Sequence, residues 1–330
     1  MKVGIVGAGA IGTWLGVRLA RSGHSVSVLA RGATLDALRA GPWRLDIDGE
    51  TVVASVAAAA QATDLGRQDL LVLALKGPAL GTVAPLLAPM IGPDTIICPA
   101  MNGVPWWFML GGGGELAGMA LHSVDPDGSI ERALPFDSVI GSVVHASVAI
   151  CAPAHAVHKA GNRLILGEPD GAPSARLASL ADAFTAAGFD IESSPHVRKD
   201  IWYKLWGDMT MNPISAFTGA TCDRLLDDPL VADFVLGVMA EAQEIGARIG
   251  CPIAEHGRDR MAVTRQLGAF KTSMLQDVEA GRPIEIDQLL SAPRELAECL
   301  GIATPNLDLL TGLTRLFARS HGLYPGCNAF

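Results

Sequence analysis

Three things are missing from this sequence of 330 residues: a lysine- and arginine-rich tract, a paired-cysteine motif, and an apolar run long enough to span a bilayer. Lys76 interrupts the run that begins at Leu70, and Pro153 closes the one from Val139, so no stretch approaches the roughly 20 residues of a membrane-spanning helix. Without a basic tract, and with a formal net charge of −9, the chain has no bulk attraction for nucleic acid. A few local cations could still hold an anionic substrate. The six cysteines (98, 151, 222, 251, 299 and 327) are scattered, with no C-x-x-C, and glycines break up the short apolar stretch after Met1-Lys2. Both features predict reduced thiols in a cytoplasm and no secretory signal. There is no G-x-S-x-G to carry a hydrolytic serine, and Ser142 and His145 fall on a strand-like stretch without an elbow. There is no H-E-x-x-H either; His155 and His158 follow Pro153 in a non-helical segment and read as surface histidines, so no metal is expected.

What is present is the material of a two-domain α/β protein. About half the residues are apolar (49%) and only 18% are charged, and the length suits two domains at about 150 residues each. Lys2–Val6 and Ser25–Ala30 read as strands on either side of a helix over Ile11–Arg21. Asp69–Leu75 and Thr95–Pro99 are further short apolar runs bounded by turn residues. Strands alternating with helical stretches imply βαβ units and a parallel sheet. The glycines at 111–114 and the segment 125–129 (DPDGS) mark a flexible excursion, after which Val139–Ile150 and Arg163–Leu166 return to strand character. Past Ser193–Pro195 the strand signal stops, and helical patterns cover 200–212, 229–249, about 255–280, 285–300 and 306–320. Pro293 is expected to kink or split the fourth of these. The expected organisation is an N-terminal Rossmann-type parallel-sheet domain over 1–195 and an all-helical domain over 196–330, serving substrate binding and dimerisation.

Gly7-Ala8-Gly9-Ala10-Ile11-Gly12 is a G-x-G-x-x-G placed directly after the first strand and opening the first helix. In that context it is a dinucleotide-binding turn: Gly7 permits the tight bend, Gly9 admits a pyrophosphate to the backbone, and Gly12 lets the helix pack on the strand. The helix N-terminus offers its unpaired N–H groups to the anion. At the end of the second strand, Leu29-Ala30-Arg31-Gly32 holds no acid for a ribose 2′-hydroxyl. An arginine there suits a 2′-phosphate, so NADP(H) is the expected cofactor.

Three further segments stand out. Met101-Asn102-Gly103 follows a predicted strand end, Trp202-Tyr203-Lys204-Leu205 opens a helix running to Asn212-Pro213, and Ser273-Met274-Leu275-Gln276-Asp277 precedes Gly281-Arg282-Pro283-Ile284-Glu285-Ile286-Asp287. Together with the glycine turn, in this order over essentially the whole chain, they resemble the ketopantoate reductase (2-dehydropantoate 2-reductase) family. The resemblance implies NADPH-dependent reduction of a 2-keto acid to the 2-hydroxy acid, a step of pantothenate biosynthesis, in a homodimer. It marks Lys204 as the proton donor to the substrate carbonyl, and Glu285 as the acid that closes on the cofactor and orients substrate. Lys76 and Asn102 correspond to residues near the nicotinamide, Asn212 and Ser273 to substrate-binding groups, and Ser147 to a backbone contact with the cofactor. The residues themselves are compatible. A 2-keto acid needs donors for its carboxylate and a proton donor at its ketone. Lys204, Asp208 and Asn212 lie within an arc of roughly 80° on a helix, and so share one face.

Two positions depart from the family pattern. Asp208 stands where the family normally has a substrate-binding asparagine, and Thr221-Cys222-Asp223 stands where it often offers another. An ionised Asp208 would repel a substrate carboxylate, but at i, i+4 from Lys204 it could pair with the ammonium. The aromatic run Pro105-Trp106-Trp107-Phe108 reads either as a reshaped pocket mouth or as a packed loop. Three other activities remain open on this framework: a D-2-hydroxy-acid dehydrogenase, an imine or carbonyl reductase with its substrate shifted by Asp208, and a non-catalytic NADP-binding sensor.

Overall fold

The computed structural model describes residues 1–325; Cys327 lies outside them. Two compact units are distinguished, one of Met1–Asn102 with Gly128–Asp200, the other of Gly103–Asp127 with the chain from Ile201 onward. No helix among the described residues is long and apolar enough to cross a membrane.

The first unit is built on strand β1 (Lys2–Val6), buried from Val3 to Val6, as the central strand of a parallel sheet covered on both faces must be. Helix α1 (Ala10–Arg21) leads to β2 (Ser25–Leu29), which pairs with β1 in parallel. After α2 (Gly32–Ala40) come a hairpin, β3 (Trp43–Ile47) and β4 (Glu50–Ala54), and then β5 (Ala57–Ala59). β6 (Leu70–Leu73), α3 (Gly77–Val83) and β7 (Ile96–Pro99) complete a parallel sheet in the order β5-β2-β1-β6-β7. The chain runs outward from β1 through β2 and later returns to β6 on the other side. The order therefore reverses between β1 and β6, and beyond the carboxyl ends of these strands lies the place where open α/β sheets receive ligands.

Helix α4 (Ser129–Ala133) precedes two long antiparallel strands, β8 (Gly141–Ala152) and β9 (His155–Gly167), then α5 (Ala175–Ala186) and β10 (Asp190–Ser193). These form a second sheet, ordered β10-β9-β3-β4 with β8 on β9. The two sheets share a core that includes Trp14 and Trp43, both fully buried. Trp43 donates its indole N–H to Thr13 Oγ1 at 3.0 Å. A side chain at Gly16 would meet the Trp43 ring at 2.3 Å, so α1 can pack here only with glycine at that position.

The second sheet is larger than the sequence suggests. The β3–β4 hairpin was not anticipated, although its turn, Asp48-Gly49 at φ 54° and 81°, has the left-handed pair that two-residue hairpins demand. β9 begins at His155, not at Arg163, because its first half carries polar residues on a half-exposed face. His158 stacks on Trp14 with centroids 5.9 Å apart, and His155 bonds Asp46; both histidines are half-exposed.

The second unit has no strand among its described residues. Its helices are α6 (Val197–Thr218, whose first turn belongs to the first unit), α7 (Cys222–Asp227), α8 (Pro229–Arg248), α9 (Gly257–Arg265), α10 (Ser273–Glu279), α11 (Ala292–Leu300) and α12 (Pro305–Ser320). α6 runs on through Pro213 to Thr218. The single helix expected over about 255–280 is broken: Gly268 takes φ 63°, and Thr272 caps a new helix by accepting the Leu275 N–H at 3.2 Å. Pro293, with no N–H to donate, is preceded by one π-helical turn over Asp287–Ser291, closed by Ser291 N–H to the Ile286 carbonyl at 3.2 Å. Within 103–127 the aromatic run is packed while Gly113 and Gly114 of the expected excursion are exposed. Trp106, Trp107, Phe108 and Met109 are buried, and a Cβ at Gly114 would lie 2.5 Å from the Arg248 carbonyl oxygen. Of the two readings of the aromatic run, the packed loop holds.

Candidate active site

In the first unit the glycine turn sits at the carboxyl end of β1. Gly7 has φ 98°, and a Cβ on it would lie 2.8 Å from the Ala74 carbonyl oxygen; at Gly12 one would lie 1.9 Å from the oxygen of Gly7. Both positions therefore require glycine for the fold. Gly9 differs: it is exposed, caps α1, and an added Cβ would meet nothing within 4 Å. The backbone needs no glycine there for packing, but a pyrophosphate approaching the first turn of α1 does. Ala8 is buried behind the turn, and Ala10 and Ile11 begin the helix. α1 has no acid in its first turn to compete for its N–H groups.

The other expected cofactor residues in this unit lie at neighbouring strand ends. Arg31 is exposed just past β2 at the N-cap of α2, whose first turn also lacks an acid. Lys76 follows β6 and caps α3, and Asn102 follows β7; both are half-buried. Gly7, Arg31, Lys76 and Asn102 thus stand after β1, β2, β6 and β7, four neighbours in one sheet. Ser147 is apart from them, in the middle of β8 in the second sheet, where the β8–β9 register shifts.

In the second unit the lysine is set by its neighbours. Trp202 and Trp206, both 0% exposed, donate their indole N–H groups to the carbonyls of Ala242 (3.2 Å) and Met239 (2.9 Å) on α8. The i, i+4 tryptophans lock α6 against α8, and the 204–208–212 face points elsewhere. There Lys204 Nζ donates to Asp208 Oδ2 at 2.6 Å, with the two side chains 19% and 25% exposed. Asn212 is buried one turn further on. Cys222, at the start of α7, is buried, and its thiol is pushed up to about 11, first by burial and then by the charges of Asp223 and Asp208. Two carboxylates therefore act on the Cys222 thiol, and one of them, Asp208, also holds the ammonium. The position where an asparagine was expected is occupied by an acid already bonded to the lysine.

Glu285 lies in the non-helical segment between α10 and the π-helical turn at Asp287–Ser291. Ile284 and Ile286 on either side are fully buried, whereas Glu285 is half-exposed. The Ile284 N–H is held by the Leu323 carbonyl at 3.1 Å, and Arg282 Nε bonds the buried Asp277 at 3.0 Å, tying this segment to α10. Ser273 is exposed at the start of α10. Two residues of this unit belong to no sequence motif. Gln288, 5% exposed on the π-helical turn, accepts the Val104 N–H at its backbone oxygen (2.9 Å), and its Oε1 is buried without a hydrogen-bond partner. A Cβ on Gly103 would lie 2.5 Å from that backbone oxygen, so the glycine after Asn102 was the available signal. Arg260 lies over the Tyr203 ring (5.5 Å to the centroid), and its Nη2 would be 2.5 Å from a Cβ at Gly207. A glycine in mid-helix was the sign of something packed against it.

The sequence profiles of the family described as ketopantoate reductase PanE/ApbA match residues 3–171, and those of its C-terminal domain match residues 196–318. A 2-dehydropantoate 2-reductase from Mesorhizobium japonicum is 42% identical over 325 residues, covering 98% of this chain and all of that protein. A crystal structure of a candidate ketopantoate reductase from Ralstonia solanacearum MolK2 superposes with a TM-score of 0.94 at 55% identity, covering 98% of this chain and 99% of the other. A D-mandelate dehydrogenase solved with NADH and anilino(oxo)acetate shares the fold (TM-score 0.83, covering 98% of this chain and all of the other), but at 20% identity the likeness extends to the fold alone.

Proposed function

Because this chain belongs to the ketopantoate reductase family, a family of oxidoreductases, we propose that it reduces ketopantoate or a closely related 2-oxo acid with NADPH, Lys204 delivering the proton. The observation that carries this reading is the fixed ammonium: Lys204 on a helix locked by two buried tryptophans, its Nζ held 2.6 Å from Asp208. Bound along the glycine turn, the dinucleotide supplies a hydride for the substrate carbonyl carbon. The residues to hold it are Gly7 to Gly12 at the pyrophosphate, Arg31 at a 2′-phosphate, and Lys76 and Asn102 toward the nicotinamide, with Ser147 a further backbone contact. The open Gly9 position fits such a group.

The protein's own part is to stabilise charge. As the carbonyl oxygen becomes an alkoxide, the Lys204 ammonium hydrogen-bonds it and transfers a proton to it, so negative charge never accumulates unpaired. Asp208 fixes one N–H direction of the ammonium and with it the position of the rest. Asn212 and Ser273 offer neutral donors to the substrate, and Glu285 orients it. Turnover of NADPH against a panel of 2-oxo acids tests the proposal. Ketopantoate or a branched homologue should lead the ranking. Absence of turnover with every 2-oxo acid would overturn the proposal, leaving a reductase of another carbonyl or imine, or a dinucleotide-binding sensor.

One observation favours a second reading. With Asp208 bonded to Lys204 and Asp223 also acting on Cys222, a substrate carboxylate meets more negative charge here than an asparagine would present. That arrangement suits a neutral or amine-bearing carbonyl, or an imine. Asp208→Asn discriminates: a gain of about tenfold in kcat/KM on ketopantoate supports the shifted preference, and unchanged kinetics end it. We also expect a homodimer through the second unit. Leu309, Leu313 and Leu316 form an exposed apolar stripe on α12, and sedimentation would test this.

A further inference from the structure

Away from the proposed active site, the second sheet of the first unit gathers three unlike donors at one point. Asp46 of β3, Cys151 of β8 and His155 of β9 place a carboxylate oxygen, a thiol sulfur and an imidazole nitrogen within 4.8 Å of one another. The register explains how. β3 and β9 are parallel with Arg44 opposite His155, so Asp46, two residues on, lies on the same face of the sheet as His155. Cys151 would not join them in a regular hairpin. The β8–β9 ladder pairs Ile150 with Ala156 and Ala152 with His155, leaving Cys151 unpaired on a bulge, and bulges re-aim a side chain. The connection through Pro153 and Ala154 is tight. Ala154, buried and at φ 56°, is one of two non-glycine residues with positive φ among those described.

We propose that Asp46, Cys151 and His155 form a binding site for a zinc-type divalent cation, in which the metal joins β3 to the tip of the β8–β9 hairpin. The donor set decides the class of metal. A thiolate with an imidazole and one carboxylate selects a borderline-soft ion such as Zn2+ over Mg2+ or Ca2+, which take oxygen shells. In a tetrahedral zinc site, donors about 2.0–2.3 Å from the metal lie roughly 3.3–3.7 Å from one another, a span that small side-chain rotations reach from the observed positions. Coordination replaces the Cys151 thiol proton with the metal, releases that proton to solvent, and takes the place of the hydrogen bond between His155 Nε2 and Asp46 Oδ2, now 2.9 Å. The remaining carboxylate oxygen of Asp46 is already held by the Thr51 hydroxyl at 2.6 Å, the kind of outer contact that orients a ligand before the metal arrives. The three donors are half-buried or exposed, so the ion has a route in, and water completes the fourth position.

The experiment uses the full chain with Cys299 and Cys327 replaced by serine, which removes the exposed Cys299 and the terminal thiol from competition. Zn2+ alone is titrated against a chromogenic chelator. Co2+ is added in parallel, to read the thiolate-to-cobalt absorption that only a sulfur ligand produces. The account expects one tight equivalent per chain and a cobalt–thiolate band. Binding should be at least tenfold weaker in Cys151→Ser and in Asp46→Asn, and about tenfold weaker in Thr51→Val. Saturating Zn2+ should raise Tm by about 3 °C or more in the parent and leave Cys151→Ser unmoved. Cys151 is exposed, so its replacement keeps the fold, which circular dichroism confirms. Binding that is equal in parent and Cys151→Ser, or absent from the parent, would overturn the proposal. NADPH turnover is not part of the readout, so the result stands independently of the reading of the active site.

Discussion

The two units of this chain prepare for chemistry by opposite means. In the first, the features proposed for recognition are mostly backbone: a turn whose Gly7 and Gly12 the fold requires, helix N-termini without acids, and the ends of four neighbouring parallel strands. In the second they are side chains at helical spacing, one ammonium bonded to one carboxylate on a helix anchored by two indoles. A glycine turn admits no added Cβ where backbone or ligand comes close, while side chains at the neighbouring strand ends are free to vary. Side-chain sites can change their chemistry with a single substitution, and Asp208 is the residue proposed to do so here. The difference teaches that variation in substrate is to be sought in the second unit and cofactor identity in the first.

The sharpest way to break that contrast is at Lys204. Lys204→Ala should lower kcat by about 10²–10⁴-fold, the usual contribution of a positioned acid, while NADPH affinity, measured by fluorescence titration, stays within about twofold. A large loss of NADPH affinity would mean that the lysine serves the cofactor instead. Next in size is a pair within the glycine turn. Gly12→Ala drives a Cβ against the Gly7 carbonyl and should destabilise the protein by about 1–3 kcal/mol, read from denaturant unfolding. Gly9→Ala, which meets nothing, should leave stability unchanged and weaken NADPH by about tenfold or more as the pyrophosphate loses its approach. Arg31→Ala should lower the preference for NADPH over NADH by about 10–100-fold, the loss of one charge-assisted hydrogen bond at about 1.5–3 kcal/mol; an unaltered ratio would remove Arg31 from the site. The smallest effect is expected at Trp206→Phe. Losing the 2.9 Å bond to Met239 should cost about 1 kcal/mol of stability and loosen the helix that presents Lys204. Both Tm and kcat should fall.

How much of this was legible beforehand follows the range of each interaction. The glycine turn, the first two strands and the π-helical turn before Pro293 have local causes, so the sequence marked their places. Asp48-Gly49 was equally local and was overlooked because the strands on either side, WRLDI and ETVVA, mix charged and apolar residues on a half-exposed sheet. The helix expected over 255–280 failed at Gly268, where a left-handed residue overrode an otherwise helical composition. Asp208 could be seen as a departure, yet its bond to Lys204 needed the structure. Gln288, Arg260 and the Asp46–Cys151–His155 cluster join residues far apart in the chain. Only the glycines at 103 and 207 hinted at the first two, and no local pattern pointed to the third.

The central claim is that the ammonium at 204 delivers the proton to the reduced carbonyl. A crystal structure of the protein with NADP+ and an unreactive 2-oxo acid analogue tests it most directly. The account predicts Lys204 Nζ within hydrogen-bond distance of the analogue's carbonyl oxygen. A lysine directed into solvent, with another donor on that oxygen, would contradict it.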